Sequence, residues 1–382
     1  MAEPPPIQPG KAPDEGPYAP GVDVLDYQVE LDLREGSSEI RGRTRIRLLR
    51  TAQEPGRAVF DLTGLAVDSV FVGPQIYRGM ERVPSDLYRD SLARGRLPVP
   101  LPGDSAEGDT LSVLVHYRGT PDDGLIIGNT PHGNPSVFAD NWPDRARYWF
   151  PSVDHPSDKA TVTFIVRAPA TWNVVSNGAP LSPPTPVPDS VDAEEGEDDE
   201  GVPTHSRRTW RWKTEAPLPT YTMVVGATPF ATRRLGLAAC GRAPLSPRRD
   251  GCVEVTTWLF PQDTARAAPS FRRAPEMVEF FTDLIGPFPF EKLAHVQAAT
   301  RFGGMENSSA IFYPGQVLAA GRNIEETVAH ETAHQWFGDS VTEADWHHLW
   351  LSEGFAEYFQ ALFNEEADGQ EAFRRSMEQK RR

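Results

Sequence analysis

The fold of this chain is limited most by two histidines that lie four residues apart in one helix-forming segment. His330 and His334 flank Glu331 in NIEETVAHETAHQWFG. Residues i and i+4 lie one above the other on a helix, so a helical segment brings both imidazoles to one face. Imidazole nitrogens bind Zn(II) at about 2.0–2.1 Å. The spacing therefore predicts a helix that presents both histidines to the same metal ion.

The residues around this motif carry helix-end signals. Asn323 can cap the helix, and Glu326 three residues later completes a capping-box pattern. Gly338 is well placed to end it. These signals predict a helix of about four turns that contains the motif.

Glu353 offers a third ligand. Residues 335–352 separate it from His334, and the segment HHLWLSEGFAEYFQALF is typical of a second helix. Ser352 is an N-cap candidate, which would place Glu353 in the first turn. Two antiparallel helices would unite His330, His334 and Glu353 and leave a fourth position open, as in catalytic zinc sites. We therefore expect one Zn(II) per chain, whereas two histidines without a third ligand would often be ordinary surface residues.

Glu331 is predicted to act as a base. It is offset from the histidines by roughly 100° around the helix, so it need not be a ligand. It can instead take a proton from the water that attacks the substrate. Glu357, one turn after Glu353, and Asp339 could orient the histidines, and a solvated helix face is an equal alternative for both.

A second motif precedes the histidines and consists of Gly303, Gly304, Met305, Glu306 and Asn307. Glycines leave room for an extended peptide backbone to pair alongside. The Glu306 carboxylate can bind a protonated amine. A fixed anion near the metal would select substrates by a free N-terminus, whereas GGMEN on its own would more often be an ordinary turn.

The two motifs together resemble the aminopeptidase N family, the gluzincin zinc aminopeptidases. The matching text is HETAHQWFGDSVTEADWHHLWLSEGFAEYF, with GGMEN before it, and the resemblance runs from about residue 23 onward. It implies a zinc-dependent enzyme that removes the first residue of peptides with a free N-terminus. It also implies that the backbone of Gly303 and Gly304 runs beside the substrate as an edge strand, and that Glu306 binds the α-amino group.

The resemblance extends to the segment DNWPDRARYWFPSVDHPSDKATVTFIV. In the family this segment sends a polar side chain, usually Gln or Glu, to the substrate amine. Here the position falls within residues 140–142, so Asp140 and Asn141 are the candidates. A loop residue without such a contact is the alternative for each.

Strand patterns dominate the first part of the chain. Tyr27, Val29 and Leu31 alternate with polar residues, the period-2 mark of a half-buried strand. Similar runs recur at 40–48, 111–117, 162–166, 174–175, 210–212 and 221–225. We expect no convincing helix before about residue 265. Farther on, strands are expected at 254–260 and Leu293–Ala298, and helices at 269–286 and from Asn323 onward.

These patterns predict a multidomain α and β protein. A Pro-rich tail (1–22) precedes an all-β saddle or sandwich domain (23–229) with an acidic loop insertion at about 182–206. An α+β domain (230–382) follows. The resemblance makes this second domain a thermolysin-like zinc metallopeptidase domain, incomplete at its C-terminal end.

Composition excludes some partners. The net charge of −16 is a poor match for nucleic acid, and no apolar run approaches the roughly 18 residues of a membrane helix. The N-terminus is not a signal peptide as it stands, so a soluble cytoplasmic protein and an exported one whose signal is absent both remain open. Cys240 and Cys252 could form a disulfide, which needs an oxidising compartment, or remain two buried thiols. No oligomeric state is predicted.

The last segment, QEAFRRSMEQKRR, is helical in pattern and has no Gly or Pro stop. The resemblance implies further sequence after it, including a tyrosine that stabilises the oxyanion, and Tyr358 on the ligand helix is not assigned that role. We therefore expect a truncated chain. Two alternatives to an active aminopeptidase follow: a zinc- and peptide-binding fragment with impaired catalysis, and a thermolysin-like endopeptidase, against which GGMEN argues.

Overall fold

The computed structural model describes residues 18–74, 78–187, 207–300 and 303–380. Most of the predicted tail and most of the predicted acidic loop therefore lie outside the described residues. The described residues form two compact units. The N-terminal unit ends at Pro229, and the C-terminal unit begins at Phe230 and includes the short stretch Thr130–Gly133.

The N-terminal unit is built from β-strands. They are β1 (Val22–Asp32), β2 (Ile40–Arg50), β3 (Arg57–Asp61), β4 (Ala66–Gly73), β5 (Glu81–Arg82), β6 (Arg96–Pro100), β7 (Thr110–Gly119), β8 (Leu125–Asn129), β9 (Pro135–Ala139), β10 (Lys159–Pro169), β11 (Asn173–Ser176), β12 (Ala179–Pro180), β13 (Thr185–Pro186), β14 (Arg207–Lys213), β15 (Leu218–Pro219) and β16 (Val225–Thr228). The largest sheet has the order β12-β14-β10-β1-β2-β7-β4-β5, a second has the order β11-β16-β9-β8, and β3 pairs with β6.

Alternating side chains explain why the large sheet forms. In β10, Ala160, Val162, Phe164 and Val166 are buried, while the residues between them are half-exposed. β10 pairs in parallel with β1, which pairs antiparallel with β2. One face of these strands is therefore apolar and covered, as the period of two requires. The prediction of a β-rich first domain is confirmed.

Two details of that prediction are wrong. A four-residue helix, α1 (Arg89–Leu92), interrupts the strands well before residue 265. The apolar run at 221–225 is not a strand along its length, because Thr220–Thr222 forms a buried 3-10 turn and β16 begins only at Val225. A continuous apolar run indicates that a segment is buried, and burial alone does not distinguish a strand from a turn.

The C-terminal unit mixes a small sheet with helices. Its strands β17 (Ala231–Ala238), β18 (Val253–Leu259), β19 (Leu293–Ala298) and β20 (Ala310–Pro314) lie side by side in that order. Its helices are α2 (Thr264–Phe271), α3 (Ala274–Leu284), α4 (Gly315–Ala319), α5 (Glu325–Ala333), α6 (Leu349–Asp368) and α7 (Gln370–Lys380). β19 pairs in parallel with both neighbours, and all six of its residues are buried. A central strand that is buried along its length is what a parallel arrangement covered on both faces demands. Its two polar side chains, His295 and Gln297, are hydrogen-bonded.

The single helix expected at 269–286 is two helices. The helix is interrupted at Arg272 and Arg273, and α3 begins after them with Pro275 in its first turn. Proline has no backbone N–H and restricts the residue before it, so it favours the start of a helix over its interior.

Cys240 and Cys252 are joined by a disulfide across the loop between β17 and β18. Of the two states left open by the sequence, the structure therefore has the bonded one. Among the described residues, none of the helices combines the length and the apolar composition needed to cross a bilayer.

Candidate metal centre

Helices α5 and α6 bring three ligand-type side chains to one point. Nε2 of His330 lies 3.0 Å from Nε2 of His334 and 3.4 Å from Oε2 of Glu353. Nε2 of His334 and Oε2 of Glu353 are 3.7 Å apart. His334 is buried, whereas the Glu353 side chain is about half-exposed. The three residues that the sequence singles out as ligands therefore converge.

The spacing of these three atoms fits a zinc ion. A point equidistant from them in their common plane lies about 2.0 Å from each, and zinc bonds to nitrogen and oxygen are about 2.0–2.2 Å long. An ion can thus contact all three without movement of either helix. Two imidazoles and one carboxylate are also a donor set used by catalytic zinc sites.

The second ring nitrogen of His334 lies within hydrogen-bonding distance of two oxygen atoms on the side away from the metal position. Its Nδ1 lies 3.0 Å from the carbonyl oxygen of Phe337 and 3.2 Å from Oγ of Ser352. Donation of the Nδ1 proton to that carbonyl leaves the Nε2 lone pair for the metal. On His330, Nδ1 faces Oε1 of Glu357 at 3.9 Å, a distance for an ion pair and too long for a direct hydrogen bond.

Ser352 is not the N-cap that the sequence predicts. α6 begins earlier, at Leu349, because the 3-10 turn Trp346–His348 leads straight into it. The cap lies at the start of that turn, where the side chain of Asp345 accepts a hydrogen bond from the N–H of His347 (2.9 Å). Ser352 is instead a buried residue within the helix, and its hydroxyl faces His334.

The helix that carries the histidines is also shorter than predicted. α5 spans Glu325–Ala333, and Oδ1 of Asn323 accepts from the N–H of Glu325 at 3.2 Å. A turn follows, and Gly338 adopts a φ of 109°. A Cβ at Gly338 would stand 2.4 Å from Oγ of Ser352. Glycine is therefore required here both by the backbone conformation and by the approach to Ser352.

The backbone of Gly304 packs directly against the carboxylate of Glu331. A Cβ at Gly304 would stand 2.1 Å from Oε1 of Glu331, whereas no atom of the described residues lies within 4 Å of a Cβ at Gly303. Glu331 itself is buried. Burial raises the pKa of Glu331 well above its ordinary value, and the negative charge of Glu306 acts in the same direction against the opposing His334.

Glu306 lies beside the same centre. Ligand atoms of Glu306, Glu331 and His334 all lie within 4.8 Å of one another. Glu306 is buried, and burial raises its pKa above the ordinary value. Next to it, Met305 and Phe312 exchange two backbone hydrogen bonds of 2.9 and 3.0 Å, which attach the GGMEN segment to β20.

Asn307, Asp140 and Asn141 are buried as well. Among the described residues, neither polar atom of the Asn307 amide has a hydrogen-bond partner. Asp140 and Asn141 belong to the N-terminal unit. There Oδ1 of Asp140 accepts from Arg145 (2.7 Å), and the amide of Asn141 bonds two backbone carbonyls and the indole N–H of Trp149. A contact of either residue with a substrate stays a prediction.

Sequence reasoning missed two buried residues at this centre. Gln335 hydrogen-bonds both Glu306 and Asp339 through its side chain. Both carboxylate oxygens of Glu343 are buried without a hydrogen-bond partner among the described residues, and burial together with the charge of Glu306 raises its pKa to about 7. No local pattern marks either residue, because each gains its role from segments distant in the chain.

Two models of one family match successive parts of the chain. Residues 25–222 match the peptidase M1 N-terminal domain, and residues 270–382 match the peptidase family M1 domain. Leucine aminopeptidase 2 of Chaetomium globosum is 26% identical over 273 residues, which are 69% of this chain and 39% of the relative. The chain thus spans well under half the length of this curated relative.

A solved structure shows the same architecture. The M1 zinc metallopeptidase of Deinococcus radiodurans is 26% identical, with a TM-score of 0.66 over 92% of this chain and 72% of that chain. A mutant of the same enzyme bound to the substrate Tyr-Ser-Ala is 25% identical, with a TM-score of 0.67 over 92% and 73% of the two chains. The N-terminal match alone covers more than half of the residues, and both matches follow the order of the family's domains. On this evidence the chain belongs to peptidase family M1.

Proposed function

We propose that this chain carries the active site of a zinc aminopeptidase, which hydrolyses the first peptide bond of substrates with a free N-terminus. The observation that carries the proposal is the buried Glu306 carboxylate beside the metal centre, within 4.8 Å of ligand atoms of Glu331 and His334. A carboxylate fixed there can bind the ammonium group of a substrate's first residue while the carbonyl of that substrate residue faces the metal centre. An endopeptidase has no use for such a group.

The relatives support the proposal by their names and ligands. One is a leucine aminopeptidase, and the Deinococcus enzyme was crystallised with a tripeptide. The matched part is 39% of the first relative. The proposal therefore concerns the site, and the experiments below use this chain itself. We propose the same two domains for it as the sequence indicates, 23–229 and 230–382.

Each residue of the centre has a chemical task. His330, His334 and Glu353 would hold one Zn(II), which when bound supplies a Lewis acid and lowers the pKa of a water molecule. Glu331 takes the proton of the attacking water and delivers it to the leaving amine. Its buried position suits this task, because burial raises the pKa of the carboxylate and so makes it a stronger base toward the proton of the water. Glu306 binds the α-ammonium group.

The GGMEN segment would position the substrate backbone. Gly303 and Gly304 have no side chains that could block an extended peptide, so its backbone can pair alongside them. Met305 and Asn307 flank Glu306, and the pairing of Met305 with Phe312 fixes the direction of the segment.

Hydrolysis of aminoacyl-anilides tests the proposal. We expect the zinc-loaded chain to cleave the free-amine forms and to leave their N-acetylated counterparts intact. Acetylation removes the charge that Glu306 would bind, and a chelator should abolish cleavage. Release of the aniline and zinc content are measured on the same samples. The variants Asp140→Asn and Asn141→Ala are assayed on the same substrates. A selective loss of activity on free-amine substrates would identify a second contact to the amine.

The other outcomes discriminate between the alternatives. Equal cleavage of capped and free forms would indicate an endopeptidase. Stoichiometric zinc without cleavage of either form would contradict the proposal for this chain and favour a zinc- and peptide-binding protein.

Glu306→Gln should weaken substrate binding without affecting the metal. A hydrogen bond to a charged group is worth about 1.5–3 kcal/mol, so KM for free-amine substrates should rise about 10- to 100-fold. Zinc content should stay unchanged, because Glu306 is not among the three converging ligands. Steady-state kinetics and metal analysis measure both quantities. Unchanged kcat and KM would remove the proposed role of Glu306.

A further inference from the structure

Gln335, in the turn that follows α5, connects this turn to the segment that carries Glu306. It follows His334 directly and is fully buried. Its Oε1 accepts a hydrogen bond from the N–H of Ser309 (2.7 Å), and its Nε2 donates to the carbonyl oxygen of Glu306 (3.1 Å). One side chain adjacent to a ligand therefore holds the backbone on both sides of Asn307.

The orientation of this amide is fixed by its partners. Nε2 faces two acceptors, the carbonyl of Glu306 and Oδ2 of Asp339 (2.8 Å), and Oε1 faces a backbone N–H donor. A flipped amide would set oxygen against oxygen and nitrogen against nitrogen at these contacts. The three bonds are buried, where loss of a partner leaves an unsatisfied polar group.

Ser309 marks the place where the segment needs support. Its φ of 62° is a left-handed conformation that non-glycine residues seldom adopt. Its carbonyl oxygen accepts from Nζ of Lys292 (2.9 Å) and from the N–H of Ala294 (3.0 Å), and its N–H is bonded by Gln335. Residues at and next to β19 thus hold one side of Ser309, and Gln335, in the turn after α5, holds the other.

We infer that Gln335 is a positioning residue that sets the distance between the Glu306 carboxylate and the metal centre. The inference rests on the proposed function, because that distance matters only if one substrate residue contacts both places. Its first residue must present an ammonium group to Glu306 and a carbonyl to the metal at the same time. A displacement of about 1 Å between two such contacts can cost on the order of 10²-fold in rate.

The affinities of two hydroxamates test in solution whether one ligand can contact both Glu306 and the metal. Leucine hydroxamate offers a metal-binding group and a free amine, whereas N-acetyl-leucine hydroxamate offers the metal-binding group alone. The wild-type zinc-loaded chain should bind the free-amine form about 10- to 100-fold more tightly, which is the range for a charged hydrogen bond. Gln335→Met, which keeps the shape and removes all three hydrogen bonds, should reduce that ratio to about one. Affinity for the acetylated form and zinc content should not change.

A matched control lies in the last turn of α5, three residues before Gln335. Thr332 is buried, and its hydroxyl bonds the Val328 carbonyl of its own helix (2.6 Å). Thr332→Val should therefore keep the wild-type affinity ratio. Hydrogen exchange at the Ser309 amide needs neither zinc nor turnover and should accelerate in Gln335→Met only. Kinetics add a third readout: Gln335→Met should raise KM for free-amine substrates, as Glu306→Gln does, and should also lower kcat, because the amine contact and the metal contact no longer fit one substrate residue.

The outcomes separate the inference from the function on which it rests. A wild-type preference for the free amine that persists in Gln335→Met would overturn the inference and leave the proposed function intact. A wild-type chain without that preference would overturn both. If Gln335→Met fails to bind zinc, Gln335→Glu gives the same comparison. It keeps the acceptor for Ser309 and places an oxygen against Glu306 and Asp339, so the ratio should again fall, and a wild-type ratio would overturn the inference.

Discussion

Glu331→Gln should abolish turnover while zinc remains bound. A positioned general base accelerates such reactions by about 10²–10⁴-fold, so kcat should decrease by a factor in that range. Glutamine has nearly the same shape as glutamate, and it can still lie against Gly304. It cannot, however, accept the proton of the attacking water. The three side chains that converge on the metal position are unaltered, so the zinc content should equal that of the wild type.

Glu357→Gln is the control for this variant. It also removes a carboxylate near the centre, but Oε1 of Glu357 lies 3.9 Å from Nδ1 of His330 and Glu357 is not among the converging ligands. We expect a far smaller loss from it. Full activity in Glu331→Gln would show that another group acts as the base. Loss of zinc from Glu331→Gln would show that Glu331 contributes to metal binding.

The convergence of His330, His334 and Glu353 could be predicted from the sequence, because the segments that carry them lie close together in the chain. His330 and His334 share a helix face by spacing alone, and Glu353 lies in a second amphipathic segment that follows them in the sequence. The structure places the relevant atoms of these residues within 3.7 Å of one another. The caps were harder to predict. A serine before a helix-forming run has the same local pattern whether it caps the helix or, as Ser352 does, faces a histidine from inside it.

Contacts between distant segments could not be predicted in this way. Gln335 bonds Glu306 and Ser309 across 29 and 26 residues, and no periodicity records such a pairing. The same holds for the sheet of the N-terminal unit. β1 pairs in parallel with β10 across more than one hundred residues, with Asp26 opposite Thr161. The alternation of side chains predicts each strand and its buried face, but it does not specify which strands pair or the order of the strands in the sheet.

Gly304→Ala should lower the proposed peptidase activity nearly as much as loss of the base itself. The added methyl would stand 2.1 Å from Oε1 and 2.6 Å from Cδ of Glu331. The obstructing atoms are the end of a side chain with rotatable bonds, so the carboxylate should move and the backbone should stay. A base displaced by about 1 Å or more should cost on the order of 10²-fold in kcat. Zinc content should again match the wild type.

Gly303→Ala is the matched control, because a methyl group there meets no atom within 4 Å in the part of the chain that the structure describes. Neither glycine has a positive φ. Alanine should therefore not strain the backbone dihedral angles at either position. By restricting the unfolded chain it should raise stability slightly at Gly303, whereas at Gly304 the displaced carboxylate of Glu331 offsets this gain. Thermal unfolding and kcat measured on the pair separate folding from catalysis. Similar activities in the two variants would mean that the Gly304 backbone does not control the position of Glu331. Inactivity confined to Gly304→Ala would show that this glycine is required because the base occupies the space where a side chain would otherwise be.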